Sequence, residues 1–172
     1  MSLRPRFLSL AAVALAAALG FAAAPYAADM IQTPDAMPDW VARRPADIYA
    51  PQRVVYHLKD GGGLFNRHYK GVLKVAENHV AALAPGKVDL RVVMQGDGVD
   101  LLAWARRDEA ARRAVDALKA KGVRFEVCRN TLLQRRINPD ARLHGVARED
   151  VVTTAVGEIG ALEQKGYVYI KL

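Results

Sequence analysis

Cysteine is almost missing: the 172 residues hold one, Cys128. Disulfide scaffolds carry cysteines in pairs, and thiolate zinc sites need them at short fixed spacings, so both are excluded. Four histidines do not replace them. His68 and His79 fall on one predicted helix about 16 Å apart along its axis, and His144 stands in a distant loop, so no metal is expected. Aromatic residues make up 7% of the chain, against a formal net charge of +7. The arginine pairs beginning at 43, 106, 112 and 135 are scattered, mostly beside Asp or Glu, which describes a solvated basic surface and not a nucleic-acid interface. No Ser-x-Gly elbow, P-loop or spaced-glycine dinucleotide fingerprint occurs, which argues against a serine hydrolase or a nucleotide-dependent enzyme; no cofactor is expected.

What is present begins with Arg4 and Arg6, the apolar run "FLSLAAVALAAALGFAAA", and small residues up to Ala28. Residues 1–28 therefore read as an export signal, with the periplasm as destination. The alternative is an uncleaved anchor in the inner membrane facing the periplasm. Cleavage removes two arginines and no acids, leaving a net charge of +5. Residues 29–52, with Pro34, Pro38, Pro45 and Pro51, lack periodicity and read as an extended leader. Residues 53–172 then suffice for one domain with its own core.

Within that domain strand and helix signals alternate. Strands are predicted at "RVVYHL" (53–58), "VDLRVVMQ" (88–95), "VRFEVC" (123–128), "DVVTTA" (150–155) and "YVYIKL" (167–172). A helix over 64–83 would turn Phe65, Tyr69, Val72, Ala76, Val80 and Leu83 inward. A second helical stretch runs from "VDLLAWARR" through Asp108, a predicted N-cap, to Gly122, and "VGEIGALEQKG" forms the last helix. This order predicts an α/β fold: a mostly parallel five-stranded sheet with helices on both faces, a three-layer sandwich.

In such sheets the functional crevice lies at the carboxyl ends of the strands, where "HLKDGGG", "QGDG" and "CRNTL" all fall. Cys128 ends a strand and opens a short helix, so the N–H groups of Asn130, Thr131 and Leu132 are placed to favour its thiolate, with Arg129, Arg135 and Arg136 adding positive charge nearby. A free cysteine is also among the most buried residue types, so an inert filler stands beside the reactive thiol. "GGG" fits a flexible turn better than a phosphate cradle, and His57 beside it is either an acid–base group or a structural hydrogen-bonding one.

"RVVYHLKD", "GVRFEVCRNTL" and "EIGALEQKGYVYIKL" together resemble the DsrE/DsrF-like family of sulfur-relay proteins over residues 53–172. The resemblance implies a small α/β domain that assembles as a homotrimer or homohexamer. In sulfur-handling members it also implies a cysteine that carries sulfane sulfur as a persulfide, exchanged with donor and acceptor proteins or small thiols. Cys128 matches the sulfur-carrying position, Asn130 and Thr131 the residues after it, and His57 the strand-end histidine. Gln95-Gly96 stands where relatives often have His-Gly, and Thr154-Ala155 where many have Ser-Gly.

The expectation is thus a periplasmic sulfur carrier, with Cys128 as nucleophile, His57 as proton shuttle, and Arg129, Asn130, Thr131, Gln95 and Gly96 as binding residues. The competing expectation is a non-enzymatic module of the same fold that binds a small anion or serves assembly, with Cys128 buried and inert. No nucleic acid is expected as a partner, and a membrane only through an uncleaved signal.

Overall fold

In the structure, a computed structural model describing residues 37–42 and 49–172, the alternating runs become five strands. The chain divides into two units, residues 1–44 and 45–172. Among the described residues of the first is one helical turn, Asp39–Ala42. The export signal expected over 1–28 lies outside the described residues, as does most of the leader over 29–52.

The second unit contains β1 (Gln52–Leu58), β2 (Val88–Met94), β3 (Arg124–Cys128), β4 (Val151–Val152) and β5 (Val168–Lys171). Six helices accompany them: α1 (Arg67–Ala81), α2 (Asp100–Ala105), α3 (Glu109–Ala120), α4 (Arg129–Gln134), α5 (Pro139–Arg142) and α6 (Ala155–Gln164). The strand order is β4-β3-β2-β1-β5 and every neighbouring pair is parallel, so the predicted α/β architecture is the observed one.

Period-two alternation divides each strand between two cores. Val54, Tyr56 and Leu58 of β1, Leu90, Val92 and Met94 of β2, and Phe125 and Val127 of β3 pack with α1, α2 and α3. Val55, Val93 and Cys128 point the other way, where Ala155, Ile159 and Leu162 of α6 cover them together with Tyr167. At roughly 1.5–3 kcal/mol per buried aliphatic side chain, these two layers hold the sheet against its helices.

Two expectations are corrected. Phe65 is 75% exposed, because Phe65 and Asn66 adopt left-handed conformations (φ 54° and 55°) and the helical face begins only at Arg67. The fourth strand shrinks to Val151–Val152, because a 3-10 turn at Arg148–Asp150 precedes it and Thr154 already caps α6. The predicted cap is observed: the Asp108 carboxylate accepts the Ala111 N–H at 3.0 Å.

Candidate functional site

The strand order reverses beside β1, with β2, β3 and β4 following on one side and β5 alone on the other. Parallel sheets leave a crevice at such a point. Around it the ends of β1, β2 and β3 present His57, Gln95 and Cys128.

The turn after β2 is clamped to the end of β1. Gln95 N–H donates to the Leu58 carbonyl at 3.0 Å and Gly98 N–H to the Lys59 carbonyl at 3.1 Å. A Cβ on Gly98 would lie 2.2 Å from the Leu58 oxygen, so only glycine permits this approach. From below, Tyr69 of α1 donates its hydroxyl to the Asp97 carbonyl at 2.6 Å; burial, then the Asp100 charge, push that hydroxyl up to about 12.

The same turn is buckled to α4 at two points. Gly96 N–H donates to the Thr131 hydroxyl at 3.0 Å, and Arg135 reaches back to the Gly96 carbonyl and the Asp100 carboxylate, each at 2.8 Å. These contacts set α4 against the thiol at its start.

Cys128 is 3% exposed. Burial by itself pushes the thiol up, yet it is outweighed: the backbone N–H groups of Thr131, Ala155 and Asn130 and the Thr131 hydroxyl favour the thiolate, so the net direction is down, although the sulfur closes no cap hydrogen bond on α4. Of these donors, Ala155 opens α6, so two helix N-termini meet at one sulfur. The thiol is therefore both sequestered and biased toward its anion. The sequence posed these as alternatives because a residue's own neighbours reveal α4 but not α6, which arrives from 27 positions downstream.

His57 does not touch Cys128. It lies two strands away, about 10 Å by strand spacing. Gln95 Nε2 donates to His57 Nε2 at 3.0 Å, which leaves the ring proton on Nδ1 to donate to the Tyr169 hydroxyl, also at 3.0 Å. Burial, then the positive charge of Lys59, lower the affinity of the ring for a second proton, with Asp60 opposing and Lys171 adding. At neutral pH the ring is neutral, and Gln95 stands between it and the Cys128 end of the crevice.

Of the expected site residues the structure thus brings together Cys128, Asn130, Thr131 and Gly96, and separately His57 and Gln95. Arg129 is exposed and is not among the groups that lower the thiol; Arg135 is engaged with Asp97 and Asp100. Sequence reasoning missed the role of Ala155 beside the sulfur and the Tyr169 partner of His57 and, away from the site, the buried pair Arg91–Glu126, whose atoms meet at 2.6 Å on the sheet face shared with Cys128. A single glutamate inside the apolar run "RFEVC" was the available signal for the last. No group of three or more metal-ligating side chains occurs among the described residues.

The description "DsrE/DsrF-like family" belongs to the family model that matches residues 69–172. Among solved structures, a protein of unknown function, MTH1491 from Methanobacterium thermoautotrophicum, is 32% identical, with 70% of this chain and 99% of that one covered at a TM-score of 0.57. The ychN protein from E. coli, 16% identical with the same coverage and a TM-score of 0.50, shares the fold. No curated protein matches.

Proposed function

Because the chain belongs to the DsrE/DsrF-like family, we propose that it relays sulfane sulfur on Cys128. One observation carries this: the buried Cys128 ends a strand where the N-termini of α4 and α6 meet, and the N–H groups around it favour its thiolate. The Cys128 thiolate attacks the outer sulfur of a donor persulfide. The bond between that sulfur and the donor's inner sulfur breaks, and the donor leaves as a thiolate. An acceptor thiolate then attacks the outer sulfur on Cys128 and restores the starting anion. No net oxidation occurs in either step. The donors now facing Sγ, arranged around the strand end, also suit the negative charge of a bound persulfide.

Burial of Cys128 favours a second reading, a non-enzymatic binding or assembly module. Intact mass after incubation with a persulfide donor separates the two. Gain of one sulfur atom by the wild type and none by Cys128→Ser supports relay; wild type that gains none supports the module.

We further propose export to the periplasm, on the strength of Arg4, Arg6 and the apolar run up to Ala28. An untransported fusion of residues 1–30 to a reporter would overturn it. No helix among the described residues is long and apolar enough to cross a membrane. Self-association into a trimer or hexamer is proposed as well, supported by the edge strand β5, where Val168, Tyr169 and Ile170 are 61%, 39% and 37% exposed. Sedimentation of the domain as a monomer at micromolar concentration would contradict it.

A further inference from the structure

Beside the Cys128 crevice, beyond Arg135, two cavities adjoin. The larger, about 440 Å³, is lined by Arg106, Arg107 and Arg142 with Ala103 and Ala141. The smaller, about 160 Å³, shares Ala103 and Arg142 and adds Arg135 and Arg136 over Ile137 and Leu143. Five guanidinium groups from α2, α4, α5 and their connecting turns thus surround one continuous depression.

The charges are largely uncompensated. Arg135 consumes the single carboxylate of the lining, Asp100, at 2.8 Å. Among the described residues, Arg106 and Arg107 donate only to backbone carbonyls, those of Leu143 at 3.4 Å and Ala103 at 3.3 Å, which position the side chains without neutralising them. Arg136 and Arg142 have no carboxylate partner among the described residues. Asp140 precedes Arg142 by two residues and so faces another side of its helical turn. Four like charges crowded on one surface repel, and a protein that keeps them together beside a carboxylate already taken by Arg135 offers them to an anion.

We propose that this arginine-lined depression binds an acidic segment of a partner polypeptide. Guanidinium groups take carboxylates two hydrogen bonds at a time, and arginine is enriched where protein interfaces hold most of their energy. A small inorganic anion fits less well: all five arginines are solvent-exposed and spread over several elements, so one ion reaches only some of them, whereas a chain of carboxylates reaches them in turn. The scaffold is firm, since the His144 N–H bonds the Leu102 carbonyl at 3.0 Å and Leu143 is buried beneath the arginines. Binding here needs no chemistry at Cys128.

The test is fluorescence anisotropy of a labelled decaglutamate peptide titrated with the full chain at about 20 mM salt, where screening is weak. Binding is expected, weakened by raising the salt to about 150 mM. Arg106→Ala/Arg142→Ala should lose about tenfold in affinity, while Arg67→Ala/Arg148→Ala, which removes the same charge from exposed positions outside the depression, should stay within about twofold. Circular dichroism checks each fold, and the single variants Arg107→Ala and Arg136→Ala replace the first pair if it misfolds. Equal losses in both double variants would reduce the effect to overall charge and overturn the proposal. So would absence of binding, or displacement of the peptide by inorganic sulfate at concentrations where free decaglutamate also displaces it. Cys128→Ser should bind the peptide like the wild type, so failure of sulfur relay and failure of this surface are read separately.

Discussion

The Thr131 hydroxyl accepts the Gly96 N–H at 3.0 Å, and the same side chain is among the groups that lower the Cys128 thiol. One side chain thereby joins the turn after β2 to the thiol at the end of β3. The geometry of the anion site depends on a loop that never touches the sulfur.

Removing that link should be felt at both ends. Thr131→Val keeps the volume but leaves the Gly96 N–H without its acceptor and the thiolate without one donor. A loss of roughly 1–3 kcal/mol in urea unfolding is expected, with the midpoint of Cys128 alkylation against pH moved upward. An unchanged midpoint would show that the backbone amides suffice alone.

Cys128 itself should show a slow but pH-sensitive reaction. Shielding limits the rate of alkylation, whereas the hydrogen-bond donors set its pH dependence, so the apparent midpoint is expected below the free value of about 8.5. The linkage has a definite sign. A thiol whose folded pKa is depressed contributes stability that is fully present above the unfolded pKa and is lost as pH falls through the folded value. The stability advantage of wild type over Cys128→Ser should therefore grow with pH up to about 8.5 and then level off. A constant difference from neutral pH to about 9 would remove the thiolate from the account.

The strands were legible because their apolar residues alternate, and Cys128 because a strand signal ended there. What stayed hidden came from elsewhere in the chain. Ala155 favours the thiolate through a backbone N–H, which no residue type announces. Tyr169 reaches His57 from 112 positions away, and Arg91 reaches Glu126 across 35. Phe65 misled for a local reason: helical spacing ignores φ, and the left-handed turn at Phe65 and Asn66 points the ring outward.

Glycine substitutions should separate a glycine held by its surroundings from one that is merely tolerated. Gly98→Ala places a Cβ against the Leu58 carbonyl, and the clamp between β1 and the turn must open; a cost of at least about 2 kcal/mol is expected. Gly160 lies within α6, and a Cβ added there would meet nothing within 4 Å, so Gly160→Ala should stabilise by roughly 0.5–1 kcal/mol. Chemical denaturation of both variants decides; a neutral Gly98→Ala would mean that the turn relaxes without loss.

The Arg91–Glu126 pair makes the last prediction. Its side chains are 14% and 6% exposed, and one Glu126 oxygen, Oε2, is buried without a hydrogen-bond partner. Burial and pairing balance differently at the two ends. Arg91 holds its proton more tightly against burial because Glu126 is beside it, yet Glu126 itself is pushed up, since its own burial outweighs the attraction of Arg91. The carboxylate is the more deeply enclosed of the two, so its net destabilisation decides the outcome. An acid whose folded pKa is raised adds stability at low pH that is lost as pH rises through the folded value. Glu126→Gln keeps an acceptor for Arg91 and removes the buried charge, so it should be neutral or stabilising at pH 7, and any advantage should fade as pH falls toward about 4, where the wild-type carboxyl is protonated in both states. Arg91→Ala strands the carboxylate and should cost several kcal/mol, of the order of 3–5. Urea unfolding at both pH values checks the set, and a Glu126→Gln variant markedly weaker than wild type at pH 7 would show that the ion pair, and not its desolvation, prevails.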